Sequence, residues 1–584
     1  MNHFLRRTNI TSTLKKLYST FALLCLTTLA FAQNATISGN VKTSDGNAAQ
    51  AVTVSIKGIS RATMTDANGN YTLRNVKPGQ YTLVATLVGL EKQEQFISVV
   101  AGDKQTINFT LTESTAQLNE VTIAGRNMNK VDAVVAKIPL SKLENPQVYN
   151  SVSSEIIKQQ GIVNFDDIMR NIPGIARTWE STGRLGDGPA YFALRGFEAQ
   201  PSIYNGLPGF TGGGLDPANI EELQVLKGPS ATLFGAGFVG YGGMINVVTK
   251  KPYFTTGGEL TYNTGSFGLN RISFDVNTPI SKTEKIALRI NGAYHTENSF
   301  QDAGYKKSIF IAPALTYQAS DRLSFDILTE YLHEDRAVAP VFFHSDRSVP
   351  LVHKNIAELN LDPKKSFTSN DLPMVNPRFN MQAQMNYKIS DQWKSQTAVS
   401  RGVIQAKGYY GYIFGNTGND FTQYIHKENA TTSTLDIQQN FNGDFNIGNV
   451  RNRMLIGVDY LTRNVVDNGT GYGYLRTVTP QGATISGYPT TRNAVDSILT
   501  GTGESASNTT NNIFAAYFSD VVNITPALSA LVSVRADYFD SKGQFDDASD
   551  DFHQFAVSPK FGLVYQPIID KVSIFGNYMN SFLN

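Results

Sequence analysis

The sequence is poor in cysteine, in charged residues and in long apolar runs. Its 584 residues contain a single cysteine, and charged residues make up 17% of the chain, below the ~25% that is typical of soluble domains. Fifty basic residues against 49 acidic ones give a net charge of +1, which excludes the basic surface that nucleic-acid binding requires. A chain of this length exceeds a single compact domain, so we expect several units.

Aromatic residues and glycine are plentiful. Phe, Tyr and Trp together form 11% of the chain, and there are 49 glycines. This aromatic content excludes intrinsic disorder. Together with the few charges it favours β-structure.

Residues 1–32 are predicted to be a secretory signal peptide. A basic start precedes an apolar run over 21–31, and Ala30-Phe31-Ala32 gives a small-x-small cleavage pattern before Gln33. The run is shorter than the ~20 apolar residues of a membrane-spanning helix, so we expect cleavage near Ala32–Gln33. Cys25 lies inside this segment. The mature chain would then have no disulfide, thiol nucleophile or Cys-type zinc site.

Residues 33–113 are predicted to form an Ig-like β-sandwich. Short alternating strands are separated by turn dipeptides at Asp45-Gly46, Asn68-Gly69 and Pro78-Gly79. The run Asp66-x-Asn68-x-Asn70 is similar to the start of a calcium loop, but Tyr71 stands where that loop needs Gly and no Glu closes it. We therefore predict a hairpin turn there. A polar linker at 114–130 follows.

Residues 131–254 are predicted to be a mixed α/β domain. Segments 153–160 and 164–172 have the pattern of short helices, with Asn164 as the N-cap of the second and Pro173-Gly174 ending it. Glycine-rich strands follow to about residue 249. This domain separates two regions that are β throughout.

Residues 255–584 alternate apolar and polar side chains in the manner of strands with one polar face. For example, Leu435, Ile437 and Phe441 alternate with polar neighbours. The predicted connections alternate between short turns near 280–284, 319–322, 389–392, 446–450, 523–526 and 567–570 and long loops near 295–305, 335–378, 408–430, 464–510 and 540–554. This alternation of short turns with long loops is typical of an antiparallel transmembrane β-barrel.

The number of predicted strands is small for such a barrel. We predict about 13 strands, whereas plugged outer-membrane transporters have ~22, and bacterial barrels close with even numbers. An open edge in lipid is not viable. The expectation is therefore a partial barrel, from a fragment or truncated reading of a longer protein.

Several segments resemble a known family. "IMRNIPGIA", "FALRGFEAQPSIYNGLPG", "NIEELQVLKGPSATLFG" and "GYGGMINVVTKKP" are similar, in order and spacing, to the plug of a TonB-dependent outer-membrane receptor. "SGNVKTSDGNAAQAVTVSIKG" and "TMTDANGNYTLRNVKPGQYTL" resemble a carboxypeptidase-regulatory-like domain. "EVTIAG" resembles the TonB box, whose residues here are Glu120, Val121, Thr122, Ile123 and Ala124. "RGF…NGL…LDP…VLKGP" most resembles the ferrichrome-type siderophore receptors.

This resemblance implies transport and no enzyme active site. A ferric siderophore, hydroxamate type favoured, would bind between plug apex and barrel loops, and TonB would pair with the box and energise import into the periplasm. The expected setting is the outer membrane of a Gram-negative cell, with lipid and lipopolysaccharide around a monomer and no covalently bound cofactor or resident metal. In the family two plug arginines lock the plug to the barrel. Arg195 matches the first, and Lys227 replaces the second, losing bidentate geometry.

The resemblance also gives candidate ligand-binding residues. Aromatic and polar side chains facing the outer cavity suit amphipathic chelates. The plug candidates are Arg177, Trp179, Arg184, Gln200 and Phe210; the barrel candidates are Phe342, Phe343, Tyr409, Tyr410 and Tyr412.

Other functions stay open. A TonB-dependent importer of a glycan, peptide or haem, a signalling receptor, a structural β-protein and an inactive truncated receptor are the alternatives. The pattern Gly235-x-Gly237-x-x-Gly240 matches a dinucleotide fingerprint, but no helix is predicted after it. The seven histidines are scattered, and no nucleophile–base arrangement with a supporting motif is present.

Overall fold

The computed structural model describes residues 34–57, 59, 61–87, 92–111, 131–132, 137–208, 212–235, 240–281, 283, 285–343, 353–416, 418–543 and 548–581. The chain divides into two compact units, Met1–Arg126 and Asn127–Asn584. The predicted signal peptide and most of the predicted linker, including Glu120–Ala124, lie outside the described residues. Within the described part of the chain, no helix has the length and apolar character needed to cross a membrane.

The first unit contains two four-stranded β-sheets. One has the order β4-β1-β7 with β8 beside β1, and the other the order β3-β2-β5-β6. The strands are β1 Ala35–Thr43, β2 Thr53–Ile56, β3 Ala62–Met64, β4 Asn70–Val76, β5 Gly79–Thr86, β6 Gln93–Val99, β7 Lys104–Thr106 and β8 Phe109–Leu111.

Apolar side chains of both sheets pack into one core. Ile37, Val54, Leu83 and Leu111 are fully buried in it. The predicted turn at Asp66 is present, because its carboxylate accepts hydrogen bonds from the backbone N–H groups of Asn68 and Asn70, both at 2.9 Å. It is not a hairpin, however, since the strands on either side, β3 and β4, belong to different sheets. We call this unit the front domain.

Residues 137–254 form the central region of the second unit. A five-stranded sheet has the order β11-β17-β18-β15-β16, and a three-stranded sheet the order β12-β13-β14. The elements up to residue 249 are β9 Val131–Asp132, β10 Leu140–Ser141, β11 Tyr149–Ser153, α1 Ser154–Gln159, α2 Phe165–Ile168, β12 Ile175–Glu180, β13 Ala190–Leu194, β14 Phe197–Ala199, β15 Pro201–Tyr204, β16 Leu207–Pro208, β17 Ile220–Lys227, α3 Ala231–Phe234 and β18 Gly243–Thr249.

The two predicted helices of this region are present but short. The second continues only as a 3₁₀ turn, Met169–Asn171, before Pro173-Gly174. Asn164 is its N-cap, but its side chain makes no capping hydrogen bond. Its Oδ1 instead accepts from the Lys306 ammonium at 2.8 Å. A contact with the large sheet thus replaces the local cap.

The remaining strands form one large sheet, which is antiparallel apart from one short parallel pairing. Its main path of 13 strands runs β19-β20-β21-β22-β23-β25-β26-β27-β28-β31-β32-β33-β34, in agreement with the predicted number. The elements are β19 Gly257–Thr264, β20 Asn270–Ser281, β21 Ile286–Asn298, β22 Tyr305–Gln318, β23 Leu323–Ala337, β24 Val341–Phe343, β25 Met374–Lys388, β26 Trp393–Gly415, β27 Phe421–Ile447, β28 Val450–Thr470, β29 Gly473–Val478, β30 Thr484–Gly487, α4 Arg492–Leu499, β31 Glu504–Thr525, β32 Leu528–Lys542, β33 Phe552–Ile568 and β34 Val572–Met579.

The connections alternate between short and long, as predicted, with one clear exception. The predicted loop at 408–430 is wrong: β26 and β27 extend through it and pair residue by residue from Trp393↔Gly443 to Gly415↔Phe421. Tyrosine, phenylalanine and isoleucine favour strands, and cross-strand aromatic contacts there stabilise the ladder. The strands also continue beyond the predicted loop boundaries at 464 and 510.

One face of the large sheet is apolar and exposed, and the other is polar and packs on the central region. On β27, Ile437 and Phe441 are about 40% exposed, whereas Asp436 and Gln438 are fully buried. Strands with this alternation wrap a polar interior and turn an apolar band outward. The sheet therefore encloses the central region.

Candidate functional site

The apex of the central region is a loop over residues 181–188 that is organised around one buried carboxylate. Asp187 accepts hydrogen bonds from the Thr182 backbone N–H at 2.9 Å, the Thr182 hydroxyl at 2.8 Å and the Tyr191 hydroxyl at 2.5 Å. Burial and the neighbouring carboxylate raise the pKa of Tyr191 well above its ordinary value, so its hydroxyl stays a donor. The loop is thus held rigidly.

Arg184 extends from this loop toward the large sheet. Its guanidinium lies 5.2 Å from the ring centroid of Tyr410 and its Nε lies 3.4 Å from an Asp187 oxygen. The side chain is 43% exposed. The next residue fixes the loop to the sheet, since the Leu185 N–H donates to Glu428 Oε1 at 2.9 Å. Arg184 is therefore oriented and still accessible.

The facing wall is aromatic and is built by cross-strand pairing of β26 with β27. Tyr410 pairs with His426 and Tyr412 with Tyr424. Tyr472 closes the cluster: its ring lies 5.0 Å from that of Tyr412 and stacks on His426 at 4.7 Å. His426 Nε2 lies 2.9 Å from Glu428 Oε2. We call this set, together with the 181–188 loop, the apical site.

Three of the predicted ligand residues meet in the apical site: Arg184, Tyr410 and Tyr412. Trp179 lies near it, 42% exposed, with its ring edge-on to Tyr191 at 4.7 Å. Gln200 lies beside the loop, because a Cβ on Gly188 would meet its amide at 3.4 Å.

Of the other predicted ligand residues, Phe343 lies at the edge of the apical site, with its ring 6.1 Å from that of Tyr412, and the rest of the described ones lie elsewhere. Arg177 pairs with Asp166 and lines a separate cleft of about 330 Å³. The Tyr409 hydroxyl donates to Asp496 of α4 at 2.8 Å, so it supports a long connection. Phe342 packs edge-on against Phe421 at 5.0 Å. Phe343 stacks on Phe414 at 5.1 Å, and Phe210 lies outside the described residues.

Sequence reasoning missed several residues of the site: Asp187, Tyr191, Tyr424, His426, Glu428 and Tyr472. Three of them carried a usable signal. Tyr424, His426 and Glu428 follow one another at a spacing of two, which places them on one face of a strand. The segment is predicted to be part of a loop at 408–430, where a spacing of two carries no meaning.

The predicted lock residues contact the central region itself. The Lys227 ammonium donates to the Pro173 carbonyl at 2.7 Å, and Arg195 is exposed and lies near Gly228. Among the described residues neither makes an ion pair with a carboxylate of the large sheet. Their role as a lock stays a prediction.

Other ion pairs join the central region to the large sheet. Asp216 accepts two hydrogen bonds from Arg271, at 2.9 and 2.5 Å, with both side chains about 95% buried. Lys250 pairs with Asp275 at 3.0 Å and Glu144 with Arg453 at 2.8 Å. These pairs attach the central region firmly.

The described residues contain no group of three or more His, Cys, Asp or Glu side chains that would hold a metal ion. The Gly235 pattern is followed by β18, and four of its six positions lie outside the described residues. A ligand at the apical site would meet aromatic rings and the Arg184 guanidinium, with the carboxylates of Asp187 and Glu428 buried behind them.

Three family models match the chain in succession. They are the CarboxypepD_reg-like domain over residues 37–123, the TonB-dependent Receptor Plug Domain over 141–240 and the TonB dependent receptor-like, beta-barrel over 316–583. This chain combines the plug and β-barrel of a TonB-dependent receptor with a CarboxypepD_reg-like domain. The central region is the plug, and the large sheet is the barrel.

Curated relatives and solved structures agree with this assignment. The chain is 23% identical over 388 residues to the metal-pseudopaline receptor CntO of Pseudomonas aeruginosa, covering 63% of this chain and 51% of the relative. It is 23% identical over 359 residues to the ferrioxamine B receptor of Salmonella typhimurium, covering 59% and 49%. The chain thus spans about half the length of these relatives.

The fold is similar to that of solved receptors. The ferric preacinetobactin receptor BauA of Acinetobacter baumannii superimposes with a TM-score of 0.66 at 17% identity, covering 78% of this chain and 66% of that one. The ferripyoverdine receptor of Pseudomonas aeruginosa gives a TM-score of 0.66 at 18% identity, covering 81% and 62%. At this identity the likeness establishes the fold.

Proposed function

We propose that the chain is a receptor of the Gram-negative outer membrane that binds a ferric siderophore at the apical site and imports it into the periplasm. The observation that carries the proposal is the meeting of Arg184 with the aromatic wall of Tyr410, Tyr412 and Tyr472 at the long-connection end of the barrel. Aromatic faces with polar tips suit amphipathic chelates. Arginine supplies charge-assisted hydrogen bonds to their anionic oxygens.

A ferric hydroxamate is the substrate that we put forward first. The motifs of the plug resemble ferrichrome-type receptors, and the named relatives include receptors for ferrioxamine B and for metal-pseudopaline. Among the residues that the structure describes, Arg184 is the cation that lies against the aromatic wall of Tyr410, Tyr412 and Tyr472, and a single such charge also suits a chelate of low charge. A catecholate chelate, by contrast, carries several negative charges.

Import would be energised by TonB pairing with Glu120–Ala124 as an added strand. The surrounding lipid and lipopolysaccharide would contact the outward apolar band, and the receptor would act as a monomer. It would perform transport and no catalysis.

The apical site is tested by comparing two neighbouring tyrosines. Tyr410→Ala removes the ring under Arg184, so we expect the affinity of cells for radiolabelled ferrichrome to fall about ten-fold, the order of one lost aromatic and cation–π contact. Tyr409→Phe is the matched control, because its hydroxyl contacts α4, and affinity should not change. Equal affinity of Tyr410→Ala and the unmodified receptor would contradict the assignment of the site.

The substrate and the TonB box are tested in cells that carry the full gene and lack other receptors. Uptake of ferrichrome should exceed uptake of a ferric catecholate, and Ile123→Pro should abolish uptake while binding is kept, because proline removes a strand hydrogen bond. Failure to bind or import any ferric siderophore, with uptake of a glycan, peptide or haem instead, would overturn the proposal. Unchanged uptake by Ile123→Pro would remove the TonB-box assignment.

A further inference from the structure

The inner face of β25 carries a continuous row of polar side chains. From residue 376 to residue 386 every second position is polar, and intervening positions such as Phe379 and Met381 are about 40% exposed on the outer face. At ~3.3 Å per residue the row extends over ~33 Å. It consists of Asn376, Arg378, Asn380, Gln382, Gln384 and Asn386, and we call it the amide row.

The upper part of the amide row contacts the plug at two levels. The Asn376 side-chain amide donates to the Gly183 carbonyl of the apical loop at 2.8 Å. Further down, Gln382 accepts from the Asn205 amide at 2.8 Å and donates to the Tyr204 carbonyl at 3.0 Å. The row therefore joins the apical site to the middle of the plug. Its one charge, Arg378, pairs with Glu330 of β23 at 3.3 Å.

The lower end of the amide row opens into a cavity of about 580 Å³ between plug and barrel. Gln384 and Asn386 line it, as do Gln396, Gln438 and Asn440 of β26 and β27. The cavity reaches residues at the short turns, opposite the apical site. Those residues are mostly basic: Arg322, Lys388 and Lys394 against Asp321.

The buried ion pairs that hold the plug lie to either side of this wall. Arg271 and Asp275 are on β20, and Arg453 is on β28. Along the lower halves of β25–β27 the plug is held mainly by amides and by Lys137, whose ammonium donates to Gln438 Oε1 at 3.0 Å. Neutral amide bonds are weaker than charge-assisted ones. Among the described residues, the contacts along this wall, apart from that of Lys137, are therefore easier to exchange than the buried ion pairs of β20 and β28.

We propose that a ligand released from the apical site moves along the amide row and leaves through the cavity at the turn end of the barrel. This route rests on the proposed import function. Amides both donate and accept, so they can exchange partners with the polar groups of a chelate without leaving a charge unpaired. The basic exit favours a neutral or anionic metal chelate.

The first test narrows the row with a bulky side chain. Gln384→Trp points into the row, and Ala383→Trp, the next residue, points to the outer face, where β25 pairs it with Ile327 of β23. We expect Gln384→Trp to lower the rate of ferrichrome uptake at least ten-fold with unchanged binding, and Ala383→Trp to import normally. Normal uptake by Gln384→Trp would overturn the route. If the unmodified receptor does not bind ferrichrome, that result would instead count against the proposed function.

The second test does not depend on the identity of the ligand. The sequence has a single cysteine, in the predicted signal peptide, so an introduced cysteine is a specific reporter. Gln382→Cys lies on the row and Ser533→Cys on the inner face of β32, and the native residues are 2% and 1% exposed. In energised cells a hydrophilic maleimide should label Gln382→Cys at least ten-fold faster than it labels Ser533→Cys. Equal rates, or faster labelling of Ser533→Cys, would contradict the route.

Discussion

At the scale of single residues, the Asp216–Arg271 pair is a buried attachment of plug to barrel. Both side chains are about 95% buried and share two hydrogen bonds. Removing one partner of a buried pair leaves an uncompensated charge, which costs about 3–5 kcal/mol. We therefore expect Arg271→Met to lower the free energy of unfolding of the plug by that amount.

The measurement can use the plug's own tryptophan. The chain has two tryptophans, Trp179 in the plug and Trp393 in the barrel, so Trp393→Phe leaves a reporter of the plug alone. The double variant Asp216→Asn with Arg271→Met removes both charges and should recover most of the stability, because the asparagine can still accept from the Ala218 N–H. If Arg271→Met alone is as stable as the unmodified protein, the pair contributes little to the stability of the plug.

The residue scale is also where sequence reasoning was weakest. Arg195 and Lys227 were identified from local motifs, but the described ion pairs join residues far apart in the chain: 55 positions separate Asp216 from Arg271. Such a pair depends on how the barrel surrounds the plug, so no local sequence pattern predicts it.

At the scale of elements, most strands and turns could be predicted, because period-two alternation and turn residues are local signals. Predicted turns such as 446–450 and 523–526 coincide with β27–β28 and β31–β32. The strands in segment 408–430 could not be predicted, because glycines and runs of tyrosine obscure the alternation until the partner strand is known. That error removed His426 and Glu428 from the predicted site.

The Asp302 carboxylate adds to the hydrogen bonds that Gln301 and Gly304 make between two connections of the barrel. Asp302, between β21 and β22, accepts from the Ser366 N–H at 2.9 Å, the Ser366 hydroxyl at 2.8 Å and the Lys365 ammonium at 3.1 Å. Partial burial alone would raise the pKa of Asp302, but these donors hold it below its ordinary value. The stabilisation that ionised Asp302 gives to the contact between the two connections is therefore complete above about pH 4. It is lost as the pH falls through the lowered pKa.

A spin label at Lys364→Cys measures this contact. At pH 7 we expect Asp302→Ala to increase the mobility of the label, and the unmodified connection to reach the same mobility only in acid, below about pH 4. Asp391→Ala, at the β25–β26 turn where Asp391 pairs with Lys388, is the control and should leave the label unchanged. Identical pH profiles with and without Asp302 would contradict the role of this carboxylate.

At the scale of the whole molecule, the low charge of the chain follows from its two barrel faces. The outer face carries apolar side chains, and the inner face carries amides and paired charges, such as Gln438 and the Asp216–Arg271 pair. The balance of 50 basic against 49 acidic residues fits an inner face on which buried charges are paired, and composition indicates the architecture even though it names no ligand.

The front domain has a hydrophobic core built only of its own residues, from Ala35 to Leu111, so we expect residues 34–113 to fold cooperatively when produced alone. Leu83 is fully buried there, and Leu83→Ala should cost about 2–5 kcal/mol through lost burial and a residual cavity. Gln80→Ala, at an exposed position of the same strand, should stay within about 0.5 kcal/mol. Denaturant unfolding followed by circular dichroism measures both.

In the whole protein, Leu83→Ala should shift one unfolding transition and leave the Trp179 signal of the plug unchanged. A shift of both would mean that the front domain and the plug unfold as one unit.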